Sequence, residues 1–446
     1  MVLLAITHAR LWTGEGPARD DMDILLSGDQ VVAIGQGLDI AGAEVIDARG
    51  ATVVPGLVDS HVHLSMNPGG AYRPPEVAAL GEHLRAYLAC GVTTILDPAV
   101  SAGASEAIRE QAVGPQYLHL GTPFSPEGGY PAVLFDGAFP MVDTIAEAEA
   151  QLDLVHAQGA IGVKMTAERG FLGPTWPMFS PEVATAIRDG AARRDLPVYV
   201  HAMSPAEQRV AIEDYGARVT VHPLETPNRR VAALAAERGV FEMTTLSVLD
   251  MMDNAWDGSR LDDPFLDARV PAAELATARS LDVSRQFRTR FAQVVLPGLP
   301  SFLATSGAAR SIATSHLRRT GRALRQLHEA GVALVMGSDA GNWPIIPYLF
   351  HGPSSLRELE LIVDAGFSPE EALTMATRNA GQMLGRDVGT LHEGGPADLL
   401  VVEGNPLDDI RALRQLRHVV RAGVARSPAD WLRPTAPPPG SKAALH

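Results

Sequence analysis

Two hydrophobic patterns divide the chain. Over the first 50 residues, LLAITHARLWT, DILLSGDQVVAIG and AEVIDARGATVV mix alternation with β-branched residues, and Gly or Asp punctuates them. Such segments read as short strands and turns. The stretch from Asp387 to about Val424 is alike, with VGTLHEGGPADLLVVEGNP and HVVRAGV. Between these ends, apolar runs alternate with amphipathic stretches. The runs are ATVVPGLVDSH, GVTTILDP, QYLHLG, AIGVKM, PVYVHA, RVTVHP, VFEMTTL and ALVMGSD. PEVATAIRDGAARRD and PEEALTMATRNAGQML carry Pro in a first turn, where a helix begins. Alternating strands and helices build a parallel sheet, and eight strands is the count of a (β/α)8 TIM barrel. The expectation is therefore an α/β chain with a barrel over 55–386. A small β-sandwich would be formed from both termini, residues 1–54 and 387–424, because chain ends often meet in space. The tail 425–446, with PTAPPPGSKAALH, is expected to be partly disordered.

One segment breaks the rhythm. About 60 residues between Leu249 and Ser311 follow strand seven, and they include MMDNAWDGSRLDDPFLD. On a barrel this 250–310 insertion would lie over the C-terminal face, where active sites sit. It reads equally well as a lid and as a surface that packs on a neighbouring subunit.

Composition narrows the class. The balance of 37 basic and 52 acidic residues gives −15, which argues against a phosphate-backbone partner. No run is long and apolar enough for a membrane span, and the N-terminus lacks a basic region and a cleavage site. A soluble cytoplasmic protein with a small-molecule substrate, no nucleic acid and no membrane is expected. The single Cys, Cys90, excludes a disulfide scaffold and reads as a reduced core thiol.

The candidate chemistry lies at strand ends. His61 and His63 point to one face of a strand, so two imidazoles can grip one metal ion. Alone the spacing says little: 14 His in 446 residues give about 0.4 such pairs by chance. However, Lys164 closes AIGV, His201 follows PVYV, His222 follows RVTV and Asp339 follows ALVMGS. Each alone could be a strand-end hydrogen-bonding residue, a helix cap or a turn former. Their recurrence at successive strand ends favours one shared metal site. His83, His156 and His328 lie in helix-like stretches and read as solvated or packed.

In this ordered set the sequence resembles the amidohydrolase superfamily. IDARGATVVPGLVDSHVHL, GVTTILD, GSDAG, FSPEEALTMATRNAGQMLG and GTLHEGGPADLLVVEGNPLDDI carry the likeness along nearly the whole chain. The resemblance implies two divalent metal ions. His61, His63 and Asp339 would hold the buried one and His201 and His222 the more exposed one. Lys164 would bridge them as a CO2-derived carbamate, which supplies the two oxygens an amine lacks. Zn2+ suits the His-rich shell, with Mn2+, Co2+ or Fe2+ as the other candidates.

The implied reaction is hydrolysis of a C–N bond in an amide, peptide-like or cyclic substrate by a metal-bridging hydroxide, with Asp339 as the catalytic proton carrier. The likeness is greatest to the imidazolonepropionase and Xaa-Pro dipeptidase-like branch, through HLGTPFSPEGGYP and FHGPSSLRELELIVDAGFSPEEAL. That branch often has Gly-Gly-His where this chain has Gly128-Gly129-Tyr130, and a second His where this chain has Met203. Tyr130 and His351 are the candidate substrate-binding residues, and Met66, Tyr72, Arg73, Trp176 and Trp343 lie in other loops that could reach substrate. A homo-oligomer is expected from the resemblance. Lactone or ester cleavage uses the same groups. Mononuclear deamination fits less well, since Glu207 lies six residues past His201. A non-catalytic scaffold would show substituted ligand positions, and none is substituted here.

Overall fold

The structure, a computed structural model, describes residues 3–65, 77–101, 104–111, 113–133, 139–170, 176–295, 307–341 and 348–434. The N-terminal pattern folds as five strands: β1 (Leu3–Leu11), β2 (Arg19–Ser27), β3 (Gln30–Gly35), β4 (Glu44–Asp47) and β5 (Ala51–Pro55). Eight barrel strands follow: β6 (Leu57–Asp59), β7 (Val92–Asp97), β8 (Gln116–His119), β9 (Val163–Thr166), β10 (Val198–His201), β11 (Val219–Val221), β12 (Phe241–Met243) and β13 (Ala333–Val335). The chain returns through β14 (Leu399–Glu403), β15 (Leu416–Arg421) and β16 (Val424–Arg426).

Strands from both ends share one sheet, in the order β16-β15-β14-β5-β1-β2-β3, with β4 on β1. The junction is antiparallel, and Leu399, Leu400 and Val401 face Pro55, Val54 and Val53. Its apolar face buries Ile6, Leu11, Ile24, Leu26, Val53 and Leu399.

The barrel strands are parallel and fall into a set of three, β6-β7-β8, and a set of five, β13-β12-β11-β10-β9. Backbone bonds join the sets at both seams. Ile161 N–H donates to His119 O at 2.9 Å, and Ser60 N–H to Met336 O at 3.0 Å. Helices cover the strands, which explains why these runs are apolar throughout rather than alternating. The interior is filled by Val58, Leu96, Leu118, Tyr199, Val219, Val221, Met243 and Val335. The polar strand-end residues begin where this filling stops.

Helix starts follow a repeated Ser-Pro signal. Ser180, Ser204 and Ser368 cap Pro181–Arg193, Pro205–Glu213 and Pro369–Met375. Each hydroxyl accepts a first-turn N–H that has no partner within its helix. Ser204 and Glu207 form a reciprocal capping box, so Glu207 is occupied in starting its helix.

The segment after β12 is helical where described, with Leu246–Asp257, Ala272–Ala278, Leu281–Val295 and Gly307–Glu329 as its longer pieces. Met251, Leu261, Leu275 and Phe287 pack with Tyr348, Leu349 and Phe350. Ion pairs tie this layer down: Arg357 grips both oxygens of Asp250 at 3.1 Å, and Arg414 reaches Asp263 and Glu360, each at 2.6 Å. The segment is thus anchored within its own chain. Cys90 is fully buried, and burial pushes its thiol up to about 12. Among the described residues, no helix is long and apolar enough to cross a membrane.

Candidate metal centre

The mouth of β6 and the loop after β13 meet through backbone bonds. Asp339 N–H donates to His61 O at 2.8 Å, and His63 N–H to Ala340 O at 2.7 Å. This crossing brings three side chains to one point. His61 Nε2 and His63 Nε2 are 3.2 Å apart. Asp339 Oδ1 lies 3.2 Å from the first and 2.9 Å from the second. All three residues are buried. The backbone is strained to achieve this: Asp339 sits at φ +54°, a left-handed conformation that costs about 1–3 kcal/mol. The adjoining Gly341 is at φ +95°, and a Cβ there would stand 2.1 Å from His63 O, so only Gly fits.

Two buried carboxylates brace this group. Asp59 accepts from His61 N at 3.2 Å, Ser338 N at 2.9 Å and Ser355 Oγ at 2.6 Å. Asp97 accepts from Leu64 N at 3.0 Å and Ala99 N at 3.1 Å, and faces His63 Nδ1 at 3.9 Å. Burial pushes each up to about 6.

His201 ends β10 and His222 follows β11. Their ring centroids are 4.5 Å apart, and His222 lies 4.9 Å from His61. His222 Nδ1 is 3.0 Å from Thr245 Oγ1, which leaves Nε2 for another partner. His201 Nε2 is 3.3 Å from the Glu168 carboxylate. Lys164 is buried on β9, and its charge acts on His61, His201 and His222. Burial lowers its amine to about 7, against the pull of Asp339. Burial also lowers His61 and His222 well below the usual imidazole range and His201 to about 3, with Lys164 adding to each. These imidazoles are therefore neutral at neutral pH, the form that binds a metal.

Sequence reasoning named six residues here, and the structure gathers them at one barrel mouth. Of these, His61, His63 and Asp339 converge most tightly, with ligand-capable atoms within 4.8 Å of one another. Tyr130 lies against His201, with centroids 4.5 Å apart, and stacks on Trp176 at 5.8 Å. Burial and the Asp339 and Glu168 carboxylates push its phenol far above the ordinary value. His351 is buried behind Gly341, with Nδ1 2.9 Å from the Tyr87 hydroxyl and its ring 4.1 Å from that of His83. Met66, Tyr72, Arg73 and Trp343 lie outside the described residues.

Asp59, Asp97, Glu168 and Thr245 were missed. The signal for the first two was present, since VDS and ILDP also end apolar runs in a carboxylate. Glu168 and Thr245 carry no such mark, because only the fold places them beside His201 and His222.

Donor chemistry and spacing fit a divalent ion. Ligand bonds of about 2.0–2.1 Å imply ligand–ligand edges of roughly 2.9–3.4 Å, between octahedral and tetrahedral geometry. The His61–His63–Asp339 triangle has edges of 2.9–3.2 Å.

A barrel of this topology with this strand-end set defines a class of enzyme, and comparison with known proteins names it. The Amidohydrolase family profile matches residues 52–426, and the chain belongs to that family of enzymes, which act on carbon–nitrogen bonds. Among particular relatives, ochratoxinase from Aspergillus niger is 24% identical over 457 residues, covering 92% of this chain and 84% of the relative. A dihydroorotase from Syntrophotalea carbinolica is 24% identical over 423 residues, covering 90% and 89%. Among solved structures, a Xaa-Pro dipeptidase with bound methionine in its active site superposes with a TM-score of 0.73 at 21% identity. That match covers 95% of this chain and 99% of the other.

Proposed function

We propose that the chain is a binuclear metal-dependent hydrolase that cleaves an amide or cyclic amide bond in a small molecule. The observation that carries this reading is the triangle of His61 Nε2, His63 Nε2 and Asp339 Oδ1, 2.9–3.2 Å on its edges, at the mouth of a closed barrel. These three would hold one divalent ion, and His201 and His222 a second. Lys164 would serve both as a carbamate. Its amine is lowered to about 7, so the neutral form that adds to CO2 is present at neutral pH. Zn2+ suits this shell, and Mn2+, Co2+ and Fe2+ remain as alternatives. When bound, the ions supply Lewis acidity and lower the pKa of a water towards neutrality.

The residues supply the rest. Asp339 takes the proton of the attacking water and delivers it to the leaving nitrogen. Tyr130 keeps its phenolic proton and donates to the oxyanion that develops on the carbonyl. His351, held by Tyr87 behind Gly341, would contribute to substrate binding. The family and its relatives named ochratoxinase and dihydroorotase support the reaction class. The reading includes the terminal sheet as a small β-sandwich, and a cytoplasmic homo-oligomer without nucleic-acid or membrane partners. Ester or lactone cleavage would use the same groups. Mononuclear deamination is weaker, since Glu207 is engaged in its capping box.

The test is metal content per chain in protein purified without chelator, beside activity on acyl-amino acids, dipeptides, cyclic amides and lactones. About two equivalents with amide turnover is the expected result. One equivalent, unaffected by loss of Lys164, would favour the mononuclear alternative. No uptake after reconstitution would leave a scaffold.

A further inference from the structure

We infer that the chain carries a second small-molecule site, separate from the metal centre, for a compact uncharged ligand with one ring and a carbonyl oxygen. The inference goes beyond the hydrolase reading and does not rest on it. The site is a cavity of about 230 Å3 between Leu246–Asp257, the short turns Ser259–Asp262 and Pro264–Asp267, and the segment from Tyr348 into Pro353–Asp364. None of the six residues gathered at the barrel mouth lines it. A dry cavity of about 150 Å3 holds benzene, so this one admits a ring with a short substituent. Its walls are chiefly apolar, with Met251, Leu261, Phe265, Leu266, Leu349 and Phe350 around the space. Two wall residues are bonded to the backbone beside Asp339: Ser247 Oγ donates to Ser338 O at 2.7 Å, and Leu349 O accepts from Gly341 N–H at 3.1 Å. A ligand here touches the frame of the metal centre without entering it.

The lining sets the chemistry of the ligand. Asn254 is a buried wall residue, and its Oδ1 accepts the Arg260 N–H at 3.3 Å. Only the oxygen of an amide can accept, so this bond fixes which end is which. The N–H2 has no partner among the described residues and is the donor the cavity offers. A carbonyl oxygen satisfies it. Charge on the polar side is balanced. Asp250 pairs with Arg260 and Arg357, while Asp263 and Glu360 pair with Arg414. Three guanidiniums thus meet three carboxylates, and neither a cation nor an anion is drawn in. Tyr348 on the wall sits at φ +82°, a backbone that bulky residues rarely adopt and that collects at ligand sites. A simple packing flaw fits less well, because an unmade donor beside apolar walls costs free energy that a ligand recovers.

The test uses the full-length protein and 4-fluoroacetophenone, followed by its 19F resonance. Saturable binding of one molecule per chain with a Kd of about 1 mM or tighter is expected. 1-Ethyl-4-fluorobenzene keeps the ring and lacks the acceptor, and should bind about tenfold more weakly. Asn254→Asp replaces the donor but keeps the acceptor for Arg260. It should weaken the ketone about tenfold and the hydrocarbon less than about threefold. Leu266→Trp, at a half-buried wall position, fills the space and should lose both ligands, with folding checked by thermal melting. If that variant does not fold, Asn254→Asp decides. Absence of saturable binding overturns the inference and leaves a water-filled cavity. Equal loss of ketone and hydrocarbon in Asn254→Asp overturns it too, as does binding that survives in folded Leu266→Trp. Retention of binding after chelation supports the separate site, whereas loss on chelation places the ketone at the metal centre and overturns it.

Discussion

Asp339 combines three demands on one side chain: a left-handed backbone, burial, and an oxygen 2.9 Å from His63 Nε2. Asp339→Asn keeps size and removes the basic oxygen. Turnover should fall by about 10²–10⁴-fold while the fold and most bound metal remain, as read by steady-state kinetics and metal analysis. Near wild-type turnover would remove Asp339 from proton transfer. Lys164→Ala should lose both metal and activity, and millimolar acetate should restore part of each by supplying the missing carboxylate. No dependence of metal content on Lys164 would sink the carbamate. At this scale the sequence was informative where a polar residue interrupts an apolar run, as at His61, Lys164, His201, His222 and Asp339. It was silent on Glu168 and Thr245, whose partners come from other strands, so no local spacing could reveal them.

The elements hold the site through close backbone contacts that side chains cannot replace. Gly341→Ala would force a Cβ to 2.1 Å from His63 O and 2.5 Å from the His351 ring. The strand must shift, so destabilisation of several kcal/mol and loss of metal are expected, measurable by denaturant unfolding and metal analysis. A second element-scale prediction concerns Glu242 on β12. This buried carboxylate accepts from Leu224 N at 2.6 Å and Gln208 Nε2 at 2.7 Å, and it bonds the Thr220 hydroxyl, tying β11, β12 and Pro205–Glu213 together. Burial raises it from 4.5 to about 7. The folded state therefore retains a proton that the unfolded chain releases between those values. Stability should fall as pH rises through that window, by an amount on the order of 3 kcal/mol, and level off above it. Glu242→Gln should flatten this part of the denaturant-midpoint profile; an identical slope in the variant would refute the assignment. Strand positions were legible because covered parallel strands are uniformly apolar, and helix starts because Ser-Pro is a capping signal. The layout of the segment after β12 was not, because its helices pack on Tyr348–Phe350, which lie from 61 to 99 residues further along the chain than Met251 to Phe287.

For the whole molecule, the alternation of eight apolar runs with amphipathic stretches sufficed to anticipate a barrel with strand-rich ends, while ion pairs linking distant layers left no sequence trace. Arg357 joins Asp250 of the post-β12 segment to Glu360, and Arg414 of the C-terminal return joins Glu360 to Asp263. Arg357→Ala leaves two buried carboxylates short of a partner and should cost about 2–3 kcal/mol, read as a lowered denaturant midpoint; no change would mean that Arg260 and Arg414 suffice. Bound metal adds stability by mass action, about 2.7 kcal/mol at one hundred times Kd. Chelation should therefore lower the melting temperature and Zn2+ should restore it.

The pairing of β14 with β5 has a consequence for synthesis. β5 leads through one residue into β6, and β6 leads to His61 and His63, so the sheet strand beside the site is completed only by residues 399–403. On a ribosome adding about 5–20 residues per second, the edge of β5 waits some tens of seconds for its partner. During that interval it is an open template for other chains. A copy ending between residues 340 and 398 would therefore carry all the proposed metal-binding side chains and still lack the frame that aligns them. Catalytic competence in this protein would thus depend on residues 399–403 having been made and paired.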